Sequence, residues 1–252
     1  MNVADVVAAL DFPVSAHVDQ RVAKKLLTEN GAPTAIDKRR INDSIEDVRW
    51  VAALKPTTIS VPSFRDGTRE YLEIAVLTAV FRPGAQTDRL AELIHRAVPY
   101  PVFMIAAHGD SVAISLAHKR WSLGKSGHTV LDGFIVAAKL DTGIDPTIAI
   151  PFVESLPLSR QPRDNVYVLY QGWIDTLIAL LAARVTGAFR LPASAEQAEV
   201  RRNALAECGR LDERMARLRT AAEREKQLAR QVALNLELKL MQVEYSTAIA
   251  KL

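Results

Sequence analysis

The string His118-Lys119-Arg120-Trp121 places an imidazole, two cations and an aromatic ring in consecutive positions, with Lys125 and His128 close behind. No acidic residue stands between positions 111 and 131. Guanidinium and ammonium groups bind phosphate oxygens, an indole stacks on a base, and Gly124 and Gly127 allow close backbone approach. The stretch therefore reads as a nucleic-acid or phosphate contact made by His118, Lys119, Arg120 and Lys125, with a solvated basic loop as the plain alternative. A second run, Lys38-Arg39-Arg40, falls near the first turn of an expected helix. Cations there oppose the helix dipole by roughly a few tenths of a kcal/mol. Either a bound anion or the neighbours Asp37, Asp43 and Glu46 must compensate.

Other chemistries need groups that the chain supplies poorly. A magnesium-dependent nuclease core of the restriction type uses an Asp on one strand and Glu-x-Lys on the next. Asp66 and Glu73 can play the acids, but Ala75 stands where the lysine belongs. Glu237-Leu238-Lys239 matches the tripeptide inside an expected C-terminal helix. Glu73, in an apolar run, needs a partner if it is buried, and an Arg or Lys is the simple one. Gly124-Lys125-Ser126 is similar to the end of a phosphate-binding loop, yet Lys119 occupies the position of its first glycine. The histidines at 17, 95, 108, 118 and 128 have no metal-ligand spacing, so no metal and no cofactor is expected. The single cysteine, Cys208, excludes a disulfide framework or a multi-thiolate zinc site, and reads as a small apolar residue of a helix face.

The elements that must position these residues follow from periodicity. With 252 residues, 49% of them hydrophobic and 24% charged, the chain is long enough for a real core, and a wholly disordered protein is excluded. The net charge of +3 is too small for strong nonspecific DNA binding unless the positive groups gather on one face. Residues 1–55 read as helical, with Gly31 suited to a left-handed helix end. A second helix is expected from Thr34 to Lys55, with Ile41, Ile45, Val48 and Ala52 on one face. Residues 56–192 form the body. Residues 71–81 and 102–107 suit strands covered on both faces, linked by a helix with Leu90, Leu93, Ile94 and Ala97 on one side. Residues 111–117 return across a tight turn. The order strand, helix, strand, strand implies a small mixed sheet: one parallel pair, then an antiparallel hairpin. Residues 134–139 and 147–152 are further candidate strands. Residues 166–184 read as a long buried helix, since Asp175 and Arg184 cut the apolar stretch well short of a membrane span.

Residues 196–252 lack proline and carry steps of three and four through Ala204, Cys208, Leu211, Met215, Leu218, Ala222, Ala229, Val232, Leu236 and Val243. This is a coiled-coil-like seam broken by Glu225 and Lys239. It predicts a long helix that folds back on the body, pairs with a second copy, or docks on a partner through Leu211, Met215, Leu218, Val232 and Leu236.

Several strings resemble the bacterial "domain of unknown function 4391" family. They are Lys38-Arg39-Arg40-Ile41-Asn42-Asp43, Val48-Arg49-Trp50 with Leu54-Lys55-Pro56, the run Ala91-Glu92-Leu93-Ile94-His95-Arg96-Ala97-Val98-Pro99-Tyr100-Pro101, and Ser115-Leu116-Ala117-His118-Lys119-Arg120. The resemblance spans most of the chain. It implies a setting rather than a reaction, because such proteins are commonly encoded beside a helicase and a DNA methyltransferase in restriction-modification or phage-defence islands. No catalytic residue comes with it. The expectation is an α/β (α+β) protein acting in the cytoplasm as a non-catalytic accessory subunit. Its partner would be the helicase or methyltransferase, with DNA as a further contact. A divergent metal-dependent nuclease and a stand-alone nucleic-acid-binding module are the alternatives.

Overall fold

A computed structural model of the protein describes residues 1–124, 127–140 and 143–252. Two compact units divide it, Met1–Leu177 and Ile178–Leu252.

The first unit is built on a six-stranded sheet. Helix α1 (Val3–Ala9) precedes strand β1 (His17–Arg21), helices α2 (Lys24–Asn30) and α3 (Ala35–Ser44), and strand β2 (Ile45–Leu54). A one-turn helix α4 (Pro56–Ile59) leads to a small hairpin of β3 (Phe64–Arg65) and β4 (Glu70–Tyr71). Then come β5 (Ile74–Phe81), α5 (Thr87–Ala97), β6 (Val102–His108), β7 (Ser111–Trp121), β8 (Thr129–Lys139), α6 (Pro146–Glu154) and α7 (Val166–Thr186). The strand order is β1-β2-β5-β6-β7-β8. Only β5 and β6 are parallel, joined by the α5 crossover, while β6 and β7 form the expected antiparallel hairpin.

The alternation of the central strands sorts side chains into two buried layers. On one face Ala75, Leu77, Ala79, Val102, Met104 and Ala106 pack with Leu27, Ile41, Leu90 and Ile94 of α2, α3 and α5. On the other, Phe103 meets Trp173 of α7 edge to face, 5.2 Å between centroids. With both faces covered, β5 and β6 tolerate no polar alternation, which is why they appear in the sequence as continuous apolar runs.

Three expectations are corrected. The helix predicted over 34–55 stops at Ser44, and Ile45–Leu54 is strand β2, so the N-terminal segment supplies two strands to the main sheet. Ile45, Val48 and Ala52 fit a helical face by spacing, but pairing with the central strand β5 buries them in the sheet instead. Residues 147–152 belong to helix α6, started by Asp145, whose carboxylate accepts from the backbone N–H of Thr147 at 2.8 Å, with Pro146 in the first turn. Gly31 is not left-handed (φ −108°); it is glycine because a Cβ there would run into the Leu93 carbonyl of α5. Other helix-end signals are realised. Thr34 Oγ1 accepts from Asp37 N at 3.1 Å, Asn165 Oδ1 accepts from Val168 N at 3.0 Å, and Gly187 closes α7 at φ +78°. By length and composition α7 could cross a membrane, but 67% of its apolar window is buried, as in the core helix of a soluble protein.

The second unit holds the C-terminal part of α7, from Ile178, and a helical hairpin. The long C-terminal helix is α8 (Ala195–Arg224), and after residues 225–227 a further helix, α9 (Leu228–Ile249), runs back along it. Met215 and Leu218 of α8 pack with Leu238, Met241 and Tyr245 of α9. Arg214 pairs with Glu237 at 2.7 Å, and Arg201 Nε donates to the Leu252 carbonyl at 2.9 Å. Within each pair the two residues stand about equally far from the turn, as an antiparallel arrangement requires.

Candidate functional site

Strand β7 carries the basic string, and its alternation sends the three side chains to opposite sides of the sheet. His118 and Arg120 face β4 and α7, whereas Lys119 faces α5. His118 lies in a chain of hydrogen bonds. The backbone N–H of Lys119 donates to the Tyr71 hydroxyl at 3.0 Å, and that hydroxyl shares a 2.6 Å hydrogen bond with His118 Nδ1. His118 Nε2 then donates to Gln171 Oε1 at 2.8 Å, and the Gln171 amide donates to Asp175 Oδ1 at 2.8 Å. Both imidazole nitrogens are thus occupied. Burial raises the Tyr71 phenol above its ordinary range. Tyr167 stands 5.0 Å from the His118 ring and stacks on Phe64. This group braces the β3–β4 hairpin between β7 and α7.

Arg120 shares Asp132 with Arg69. Asp132 lies opposite His118 in the β7–β8 register, 2.6 Å from Arg69 Nη2 and 3.6 Å from Arg120 Nε. The acid missing from positions 111–131 stands at the next residue, and the sheet register places it directly under the string.

Lys119 is a correction. Its side chain is 2% exposed, and its ammonium donates to the carbonyls of His95 and Val98 at the C-terminal end of α5. A cation there answers the negative end of the helix dipole and the unpaired terminal carbonyls. Burial pushes this amine down to about 7. The group cannot meet a phosphate backbone without unfolding the end of α5. Beside it, buried His95 shares a 2.9 Å hydrogen bond between Nε2 and Ser115 Oγ, and burial pushes its imidazole down to about 3.

The other candidates separate similarly. Lys38 and Arg39 are exposed on α3, while Arg40 lies 3.2 Å from Asp37. Arg89 clamps the buried Asp37 carboxylate through two bonds of 2.8 and 3.0 Å. The Arg89 guanidinium first, and then the Thr34 hydroxyl, hold Asp37 well below the usual carboxylate range. Asp37 therefore answers Arg40, while Lys38 and Arg39 lie exposed. Lys125 lies outside the described residues. The two carboxylates of the nuclease alternative are used locally. Buried Glu73 pairs with Lys55 at 3.3 Å, and Asp66 accepts from the backbone N–H groups of Thr68 and Arg69 at 2.7 and 2.6 Å in the β3–β4 turn. Among the described residues no three His, Cys, Asp or Glu side chains gather into a metal site.

A different region is left uncovered. In α9, Leu228, Val232, Leu236, Leu240 and Val243 are between 50 and 74% exposed. At about 100° per residue they fall within one third of the helix circumference, opposite the side that packs on α8. The predicted docking residues thus divide. Leu211 and Met215 are buried and Leu218 packs partly buried inside the hairpin, whereas Val232 and Leu236 belong to the open face. Leu228 and Leu240 were missed. They stand four residues from Val232 and Leu236, but a single seam through residues 204–243 passes them by. Cys208 is buried, and burial raises its thiol, so it is a packing residue.

No curated protein and no solved structure matches the chain. The family model described as domain of unknown function DUF4391 matches residues 10–244, nearly the whole of both units, and the chain belongs to that family.

Proposed function

We propose that this protein is a non-catalytic accessory subunit of a bacterial restriction-modification or phage-defence assembly, docking on its helicase or DNA methyltransferase. One observation carries the reading: the conspicuous reactive groups are engaged inside the first unit, while the second unit leaves five large apolar side chains of α9 in water. Covering one such side chain, already partly shielded, contributes roughly 1–2 kcal/mol. Five together give about 5–10 kcal/mol before the entropy of association, estimated at about 4–15 kcal/mol, is subtracted. The face is therefore a specific seat only for a protein surface that brings apolar groups of its own. The genomic company implied by the family resemblance supplies the identity of the assembly. Lys38 and Arg39, both exposed on α3, are cations available for nucleic-acid backbone contact within it.

The test is co-expression of the full chain with the adjacent helicase and methyltransferase, followed by affinity capture. We expect a stoichiometric complex that is lost with Val232→Glu/Leu236→Glu. Absence of any complex, or metal-dependent cleavage of DNA abolished by Glu73→Ala, overturns the reading in favour of the nuclease.

A further inference from the structure

We infer that the α9 face is closed by a second copy of this chain, two α9 helices pairing antiparallel about Leu236. The inference rests on the reading of α9 as the face through which the chain associates and names what covers α9 itself; the helicase or methyltransferase then meets the paired hairpins, so its capture depends on α9 pairing.

The arrangement of the face carries it. Val232 and Leu240 lie four residues on either side of Leu236, and Leu228 and Val243 lie eight and seven residues away. A two-fold axis through Leu236 therefore sets Val232 of one copy against Leu240 of the other, and Leu228 against Val243, in both directions at once. That is the self-complementarity an isologous interface requires. The flanks agree. Arg230 and Glu244 lie on the same side of the stripe, and both are exposed. In an antiparallel pair the same flanks meet, so Arg230 of each copy comes within about half a helical turn of Glu244 of the other. A parallel pair would hold these charges about 20 Å apart along the axis. Lys239, which the sequence pattern shows as a break in the seam, falls between Leu228 and Val232 around the helix, three residues from the axis; in the pair its stem lies over the apolar stripe and its ammonium reaches out at the rim beside the neutral Asn235 of the second copy. The 22-residue helix is about 33 Å long, enough for the whole stripe to pair. With each copy contributing its α8–α9 hairpin, the result is a four-helix arrangement, the usual way of burying a second apolar face on a helical hairpin.

Two measurements on the full chain alone test this. Sedimentation equilibrium is expected to show a dimer, with the dissociation constant raised roughly 100-fold or more by Leu236→Glu, since two carboxylates would be buried against each other on the axis. All residues changed are exposed, so the variants keep the fold, checked by circular dichroism. For geometry, cysteine pairs are introduced in a Cys208→Ser background and oxidised. Leu236→Cys is expected to cross-link efficiently by itself. Leu228→Cys is expected to cross-link only when combined with Val243→Cys. Efficient cross-linking of Leu228→Cys alone means parallel pairing and overturns the proposal. A dimer unaffected by Leu236→Glu also overturns it. A chain that stays monomeric but is captured by the helicase or methyltransferase through α9 overturns the dimer while leaving the docking reading intact. A dimer that captures neither overturns that reading alone.

Discussion

Strand β7 and helix α9 invert what their sequences advertise. The β7 string is dense in cations, and the fold turns nearly all of it inward: Lys119 onto helix carbonyls, His118 between Tyr71 and Gln171, Arg120 toward Asp132. Helix α9 looks like part of an ordinary seam, yet the hairpin uses one side of it and leaves the other apolar side in solvent. A charge is conspicuous in sequence whether or not something neutralises it, and the neutralising group is often distant: Asp132 sits on the next strand, and the carbonyls that hold Lys119 belong to α5. An apolar side chain has no such marker of whether it is covered. Availability, rather than residue type, separates the two regions. The buried lysine is one case of a recurring device, since Lys24 also donates to the Asn42 carbonyl near the end of α3, and Arg163 to the Ile59 carbonyl ending α4.

The largest effect that separates the two regions is expected from Lys119→Ala. Removing the buried charge relieves its desolvation, but it also leaves a cavity and deprives the His95 and Val98 carbonyls of their donor. The net cost is expected to be about 2–4 kcal/mol in urea denaturation. Lys119→Met, which keeps the stem, is expected to recover about half of that. Arg39→Ala, on the exposed surface, is expected to change stability by less than about 0.5 kcal/mol. A Lys119→Ala variant as stable as the parent would show that its ammonium does not hold α5, and the string would again be open to a role in binding.

A smaller effect concerns pH. Burial places the His95 imidazole at about 3, against 6.5 for the free side chain. Between these values the unfolded chain holds a proton that the folded chain does not. The stabilisation is therefore complete above pH 6.5 and lost progressively as pH falls toward 3. Lys119, lowered from 10.5 to about 7, adds the same sign in a higher window: stability rises as pH climbs from about 7 toward 10.5. We expect the denaturation midpoint to fall between pH 6.5 and 4.5, and His95→Gln to flatten that fall. An unchanged slope in the variant would place the acid sensitivity elsewhere.

Legibility followed the range of the interactions. The runs that became β5 and β6, their parallel pairing across α5, the β6–β7 hairpin and the buried α7 were readable because each rests on local periodicity or connection length. Strand β2 was not, because Ile45, Val48 and Ala52 satisfy a helical spacing, and only pairing with β5 decides between the two. The basic string was legible as unusual, but its fate depended on partners 12 to 53 positions away, such as Asp132 with Arg120 and Gln171 with His118. The open face of α9 was half legible. The break at Glu225 was noticed as a flaw in one long seam rather than as the turn that sends the second half of the seam to another side. Glycine and proline, the usual markers of such a turn, are absent from residues 225–227.

The weakest expected effect is on nucleic acid, and it sharpens the contrast within the cationic residues themselves. With Lys119 buried and Arg120 beside Asp132, the exposed pair Lys38 and Arg39 is the proposed source of backbone contact. Each phosphate neutralised contributes about 0.9 to the slope of log affinity against log salt. Fluorescence anisotropy with labelled duplex DNA is expected to show weak, salt-sensitive binding. Lys38→Ala/Arg39→Ala should reduce the slope by close to two phosphate contacts, and Lys119→Met should leave it unchanged. If the slope instead falls with Lys119→Met and not with the α3 pair, the ammonium reaches phosphate after all. The end of α5 would then have to open on binding, making β7 rather than α9 the working surface of the molecule.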